Sequence, residues 1–465
     1  MTEPPGNCGI AESSPQCGRE RAGMLPGAPD QTAKAGDGTR IGAGTIMSRN
    51  EDASNFIWNS IGGCLNAGQS VLILMVISRV CGLEASGIFS IAFATGNLFM
   101  YLGNYGVRNY QVSDLKEKAS FSDYVYHRIF TVLLMLLASA VYVAWSLIAG
   151  GYSAYKAGCV MAMCALKAVD CMEEVFEGRY QQKGRLDRAG RLVTFRLIIS
   201  IGGMIAALIL TGDLLFSTCI AVLLAAAASI FLIAQYRDTA QYRRMPLRTA
   251  QIAGLMKACF PVCAANFLSF YIINEPKYAI DAAMDETAQA CYNFIAMPVF
   301  VIQLLTMFVY QPMLIRMTQS YVKRERREFL AYFRTITLAI LAIAVPVLLA
   351  AWLLGIPVLS ALYATDLTGY RTPFMLLMLG SIFLAFNGFC AAVLTIMRAQ
   401  NRIPLVYLAG SLLSLLLTPA MTASLGITGA SLAFTITMLT VTLLMIILFA
   451  SCLTPRRFGR TARET

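Results

Sequence analysis

Five basic residues lie inside or beside long apolar stretches of the sequence, where ionised side chains are rare. They are Arg79, Lys167, Arg196, Lys257 and Lys277, the last at the expected outer rim of its stretch. A charge in lipid costs a few kcal/mol or more, so such residues usually face a partner or a water-filled cavity. Ammonium and guanidinium groups bind phosphate oxygens well in a cleft of low dielectric. These five residues therefore predict a site for an anion.

Four of these cations have an alternative interpretation, as partners in ion pairs or in contacts with lipid headgroups. Lys167 precedes Asp170 by three residues, a helical spacing that favours an internal ion pair. Arg196 could neutralise the same acidic cluster. Arg79 and Lys257 could instead extend to lipid headgroups at the ends of their helices.

Amide side chains recur at spacings of three and four along some of the same stretches. The candidates for binding a polar substrate are Asn66, Gln69, Asn97, Asn266 and Asn293. A face that touches lipid is not rich in amides, so these residues are expected at a cavity wall or a helix interface. Amides pair well with sugar hydroxyls, whereas the alternative is interhelical hydrogen bonding, worth about 1 kcal/mol per contact.

The elements that carry these residues are long apolar runs. Hydrophobic residues make up 57% of the 465 residues and charged residues 14%, unlike a soluble domain. The runs are about 20 residues long, the length that crosses a bilayer as a helix. We predict an all-α integral membrane protein with about twelve transmembrane helices, near residues 56–80, 87–105, 129–149, 154–175, 192–211, 214–236, 252–274, 291–315, 333–354, 374–397, 403–423 and 427–453.

The formal charge of +11 is distributed in a way that predicts topology rather than nucleic-acid binding. Basic residues concentrate after runs 2, 4, 6, 8 and 10 and in the tail, among them Arg108, Arg179, Arg244, Arg326 and Arg402. The opposite connectors hold only Lys156, Lys277 and Arg371. Because basic connectors stay in the cytoplasm, both termini are expected there.

The chain divides into four predicted parts. Residues 1–50 are expected to be a disordered extension, with Met47 as an alternative translation start, and residues 454–465 a basic cytoplasmic tail. Residues 51–245 (helices 1–6) and 246–453 (helices 7–12) are expected to form two lobes. An even number of helices in each half makes the repeat parallel, with a site between the lobes at the midplane.

Several classes of protein are excluded. All connectors are too short for a catalytic or nucleotide-binding domain, and no phosphate-binding loop motif occurs. The thirteen cysteines show no CxxC pair and are interpreted as packing residues, and the single histidine, His127, is expected in a cytoplasmic connector. We expect no enzyme, no metal and no cofactor.

Two stretches resemble a known family. Asn59 through the segment ISRVCGLEASGIFSIAFA resembles the opening of Wzx-type polysaccharide transporters of the multidrug/oligosaccharidyl-lipid/polysaccharide exporter superfamily. The segment NEPKYAIDAAMDETAQACYNFIAMP, residues 274–298, resembles the start of their second lobe, and the whole resemblance covers residues 50–453.

The resemblance implies a flippase in a bacterial inner membrane that moves a polyprenyl-diphosphate-linked oligosaccharide for a surface polysaccharide such as lipopolysaccharide. Membrane lipids, a coupling Na⁺ or H⁺ and a polysaccharide polymerase are the implied partners. Two alternatives stay open: a cation-coupled multidrug exporter of the same superfamily and a lipid II-type flippase. The exporter needs a carboxylate in the membrane, a role that Asp170 could fill.

Overall fold

The computed structural model describes residues 49–114, 117–240 and 246–453, and all regular structure within them is helical. The predicted extension and basic tail lie outside these ranges, except that Arg49 and Asn50 begin the first helix. The helices are α1 Arg49–Val80, α2 Gly82–Asn104, α3 Val107–Ser113, α4 Phe121–Ile148, α5 Ala154–Gln182, α6 Leu186–Thr211, α7 Leu214–Gln235, α8 Arg237–Ala240, α9 Thr249–Ala283, α10 Glu286–Ala296, α11 Val299–Val322, α12 Arg326–Ala350, α13 Ile356–Tyr363, α14 Arg371–Ile396 and α15 Ile403–Cys452.

The expected number of membrane crossings is confirmed within these ranges. Ten helical segments are long and apolar enough to cross a membrane. The last of them, which includes α15, contains a break at Gly426 (φ 57°, ψ −138°) and supplies two crossings. Helix α5 has 29 residues, long enough to cross, but the charged residues near its middle exclude it from these ten apolar segments. We count it as a further crossing. Together they give twelve crossings in the described part of this multi-pass membrane protein.

Several helix boundaries differ from the sequence prediction, among them the start of α4 and the end of α9. Helix α4 begins at Phe121 rather than near residue 129, because Ser120 and Asp123 form a capping box at its start. His127 is therefore not in a connector: it is buried within α4, with its ring against Tyr105 at 5.6 Å between centroids. Helix α9 continues beyond residue 274 to Ala283, even though Pro276 lies inside it.

The helices before residue 240 pack mainly with one another, as do those after residue 246. In the first group α1 packs on α6, α2 and α4 pack on α5, and α6 packs on α7. In the second group α15 packs on α9 and α14, and α11 packs on α14. Helix α2 joins the groups through contacts with α9 and α10.

The α1–α6 contact depends on a small residue. A methyl group at Gly190 of α6 would overlap the backbone of Trp58 and Asn59 in α1. Small residues let membrane helices approach this closely, which strengthens their van der Waals packing. Gly202, three turns along α6, has no atom within 4 Å of the same methyl position.

This contrast predicts that Gly190→Ala lowers the thermal unfolding temperature of the detergent-purified protein by several degrees, because α1 and α6 must separate. Gly202→Ala is the matched control on the same helix and should leave the unfolding temperature unchanged or raised. Equal effects of the two substitutions would contradict the packing argument.

Candidate substrate cavity

A cavity of about 840 Å³ lies between the two helix groups. Its walls come mainly from α1, α2, α5, α6, α9, α10 and α11, with single residues from α3, α14 and α15. It extends from Asn59, Arg108 and Gly190, at the end of the molecule that carries the basic connectors, to Lys277 and Tyr292. We call that end the basic end and the opposite one the far end.

Seven of the ten predicted binding residues line this cavity: Asn66, Gln69, Asn97, Lys167, Arg196, Lys277 and Asn293. The other three do not line it. Arg79 is exposed at the far end of α1, where its guanidinium donates to the carbonyls of Met75 and Ala361 at 3.1 and 3.2 Å. Lys257 and Asn266 lie on exposed faces of α9 outside the cavity.

Helix α5 presents four carboxylates to its neighbours. Asp170, Glu173, Glu174 and Glu177 follow one another at intervals of three, one and three residues, so they share one face of the helix. Three of them, all except Glu173, line the cavity. An unpaired carboxylate in the membrane is costly. Cations near this face of α5 are therefore needed to neutralise it.

Asp170 and Glu173 pair with the predicted cations Arg196 and Lys167. Arg196 of α6 pairs with Asp170 and lies 3.0 Å from Glu173, and it is almost completely buried. Lys167 is 3.1 Å from Asp170 on the same helix. The hydroxyl of Ser229 in α7 also donates to Glu173. The internal-pair interpretation of Lys167 and Arg196 is therefore correct, although both still line the cavity.

The other two carboxylates hold arginines that the sequence placed in a connector. Arg128 of α4 is buried, 2.6 Å from Glu174, and donates to the carbonyl of Gly103. Arg108 of α3 lies 2.7 Å from Glu177. Each carboxylate on this face of α5 is thus neutralised by at least one cation.

Lys277 differs from these paired cations. It lines the cavity, is partly buried, and forms no ion pair or side-chain hydrogen bond with the described residues. The sequence placed it at the outer rim because the apolar run ends near residue 274. Helix α9 carries it inside the cavity instead, since the helix continues past Pro276 to Ala283.

Amide and aromatic groups complete the walls. Gln69 donates to the backbone and side-chain oxygens of Asn66, both at 2.9 Å. The side-chain oxygen of Asn293 is buried and has no hydrogen-bond partner among the described residues. The ring of Tyr101 lies 5.0 Å from that of Phe270. Sequence periodicity did not identify Phe270, because it looks like any apolar membrane residue.

The far end of the cavity is closed where α2, α5, α9 and α10 meet. The Lys156 ammonium of α5 lies 2.6 Å from Asp281 of α9 and 2.7 Å from Glu286 of α10. Tyr152 covers it, with the ring centroid at 4.7 Å. A methyl group at Gly87 of α2 would overlap the carbonyl of Glu286, so the backbones here are in direct contact.

At the basic end, connector charges are paired within the first helix group. Glu117 accepts hydrogen bonds from Lys183 and Arg179, each at 2.9 Å. The bond from Lys183, opposed by partial desolvation and reinforced by Arg179, holds the pKa of Glu117 below its usual range. These bonds fasten the α3–α4 connector to the end of α5.

Solved structures share this fold at low sequence identity. An inward-facing multidrug resistance transporter of the MATE family has a TM-score of 0.63 and 12% identity, covering 85% of this chain and 96% of that one. The lipid II flippase MurJ, in an inward closed conformation, has a TM-score of 0.65 and 13% identity, covering 87% and 88%. A transporter of the MOP superfamily from Pyrococcus furiosus, described as having a binding pocket of reverse polarity, has a TM-score of 0.55 and 12% identity, covering 89% and 96%.

No curated protein sequence matches this chain significantly. The family model described as polysaccharide biosynthesis protein matches residues 53–318, which include nearly all of the first helix group and the α9 and α10 walls of the cavity. The match covers more than half of the chain, and the chain belongs to this family of polysaccharide biosynthesis proteins.

Proposed function

We propose that this protein is a bacterial inner-membrane flippase for a polyprenyl-diphosphate-linked oligosaccharide and that Lys277 binds the diphosphate. The observation that carries the proposal is the Lys277 ammonium, which has no ion pair among the described residues, in a cavity whose other lining cations Arg108, Lys167 and Arg196 are paired. An ammonium without a protein counterion in a low-dielectric cleft favours an anionic ligand. Membership in a polysaccharide biosynthesis family supports a lipid-linked sugar as the source of that anion.

The charges of the cavity also weigh against a cationic drug. Asp170, Glu174 and Glu177 line it, but each is already held by a lysine or arginine. A cationic substrate would have to displace one of these partners and leave it unpaired in the membrane, which is costly. The cation-coupled multidrug exporter therefore remains the second candidate, supported by the shared fold but not by the cavity.

The amide groups support a sugar beside the diphosphate. The side-chain oxygen of Asn293, which lacks a hydrogen-bond partner within the described ranges, lies beside Tyr292, and Asn66 and Gln69 line the same cavity from α1. Amides satisfy hydroxyl groups without adding charge, and a buried amide oxygen without a partner gains from a donor. A lipid II-type flippase shares this class of ligand, since its substrate also joins a sugar to a lipid diphosphate.

The proposed transport mode is alternating access between the two helix groups acting as lobes. The basic end faces the cytoplasm, where the charged headgroup enters from the inner leaflet, and the far end faces outward. A coupling Na⁺ or H⁺ and a polysaccharide polymerase are proposed partners. No step of this cycle requires chemistry on the substrate, as expected for a transporter.

Lys277→Met tests the proposal directly. We expect the substitution to weaken binding of farnesyl diphosphate, a short isoprenoid diphosphate, by about tenfold or more, because a charge-assisted bond to phosphate is lost. Isothermal titration calorimetry on the protein in nanodiscs measures the affinity, and surface polysaccharide on cells measures export.

Lys257→Met is the matched control, because Lys257 is an exposed lysine on the same helix outside the cavity, with no ion pair in the part of the chain that the structure describes. It should bind farnesyl diphosphate like the unsubstituted protein. If Lys277→Met and Lys257→Met bind equally well, the proposed site is wrong.

Asn293→Leu separates sugar recognition from anion recognition. We expect affinity for a polyprenyl-diphosphate-linked disaccharide to fall about fivefold to tenfold, because one hydrogen bond is worth about 1 kcal/mol. Affinity for farnesyl diphosphate should stay the same. Asn266→Leu, at an exposed amide outside the cavity, is the control and should change neither affinity; an equal loss for both ligands with Asn293→Leu would argue against a sugar contact there.

A further inference from the structure

The cluster of Lys156, Asp281 and Glu286 joins the two helix groups at the far end. Lys156 belongs to the first group, while both carboxylates belong to the second. The Lys156 and Asp281 side chains are 5% and 7% exposed, so their attraction is only weakly screened. Opening the cavity at this end requires α5 to separate from α9 and α10, which breaks both ion pairs.

Asp281 lies close to Lys277 along α9. The two residues are four apart on α9, so their side chains lie on one face of the helix, one turn from each other. Side chains on a helix lean toward its N-terminus, which directs Asp281 back toward the turn of Lys277. The two are not paired in this structure, because Asp281 is held by Lys156 across the groups.

We infer that Asp281 exchanges Lys156 for Lys277 when the far end opens, and that this exchange expels the bound anion. With the far end closed, Lys156 holds Asp281 and leaves Lys277 to the substrate diphosphate. When Lys156 withdraws, the freed carboxylate takes Lys277 and competes with the diphosphate for it. This inference rests on the proposed function, and it explains how a site that binds an anion can release it outward.

The two carboxylates of the cluster have different roles in this exchange. Glu286 begins α10, on a helix separate from Lys277, and its side chain is 26% exposed. It strengthens the closed state by adding a second partner for Lys156. Only Asp281 shares the helical face of Lys277, so only Asp281 competes with the substrate.

The test uses the full-length protein in nanodiscs with farnesyl diphosphate as the probe. Lys156→Met removes the ion-pair partner of Asp281 and should weaken binding by about tenfold, since an ion pair of low exposure now competes for Lys277. Adding Asp281→Asn to this variant removes the competitor, and affinity should return to within about threefold of the unsubstituted protein. An asparagine at 281 keeps the size of the side chain but not its charge.

Turnover provides a second readout. Asp281→Asn alone should bind farnesyl diphosphate at least as tightly as the unsubstituted protein but flip a lipid-linked disaccharide more slowly in proteoliposomes, because nothing displaces the anion. Glu286→Gln is the matched control: it keeps the Lys156–Asp281 pair, and its affinity should change less than about threefold.

The outcomes separate the exchange from the proposed function. If the double variant binds as weakly as Lys156→Met, or if Lys156→Met binds normally, the exchange is wrong while Lys277 can still be the anion site. If Lys277→Met retains binding in every background, the proposed function itself is wrong. Restored binding in the double variant also shows that this variant is folded, and an unchanged thermal unfolding temperature of Lys156→Met shows the same for the single variant.

Discussion

Pairing of charge in the membrane is the constraint on which this structure depends. Helix α5 carries Asp170, Glu173, Glu174 and Glu177 on one face, and lipid cannot surround them. Each therefore attracts a cation from another helix or from α5 itself. Arginines of α3, α4 and α6 meet this face, so one row of carboxylates fastens most of the first helix group together.

The same pairing defines what the cavity can bind. Because the α5 carboxylates neutralise Arg108, Lys167 and Arg196, these side chains contribute polarity to the walls but little net charge. Lys277, on the opposite wall, has no such partner among the described residues. Lys277 is available to an anion only while Lys156 holds Asp281 at the far end. Substrate binding and closure of the cavity are thus linked through one carboxylate.

The crossings and several of the cavity-lining polar residues could be predicted from the sequence, because hydropathy and amide spacing are local signals. Asn66, Gln69, Asn97 and Asn293 line the cavity as expected. Arg79 and Lys257 look equally promising in the sequence but lie outside, because the direction in which a helix faces depends on its partners. Hydropathy did not predict that α9 continues past Pro276 and carries Lys277 along the cavity wall. The pair of Arg128 with Glu174 joins distant segments that one sequence does not connect, whereas the pairing of Arg196 with the α5 acids was predicted.

The central claim is that a lipid diphosphate binds Lys277 while the α5 ion pairs stay intact. An electron cryo-microscopy structure of the protein with farnesyl diphosphate tests it most directly. We expect phosphate density within about 3 Å of the Lys277 ammonium, with Arg196 still bound to Asp170. Density held by Arg196 and Lys167, with their carboxylate partners displaced and Lys277 empty, would contradict the account.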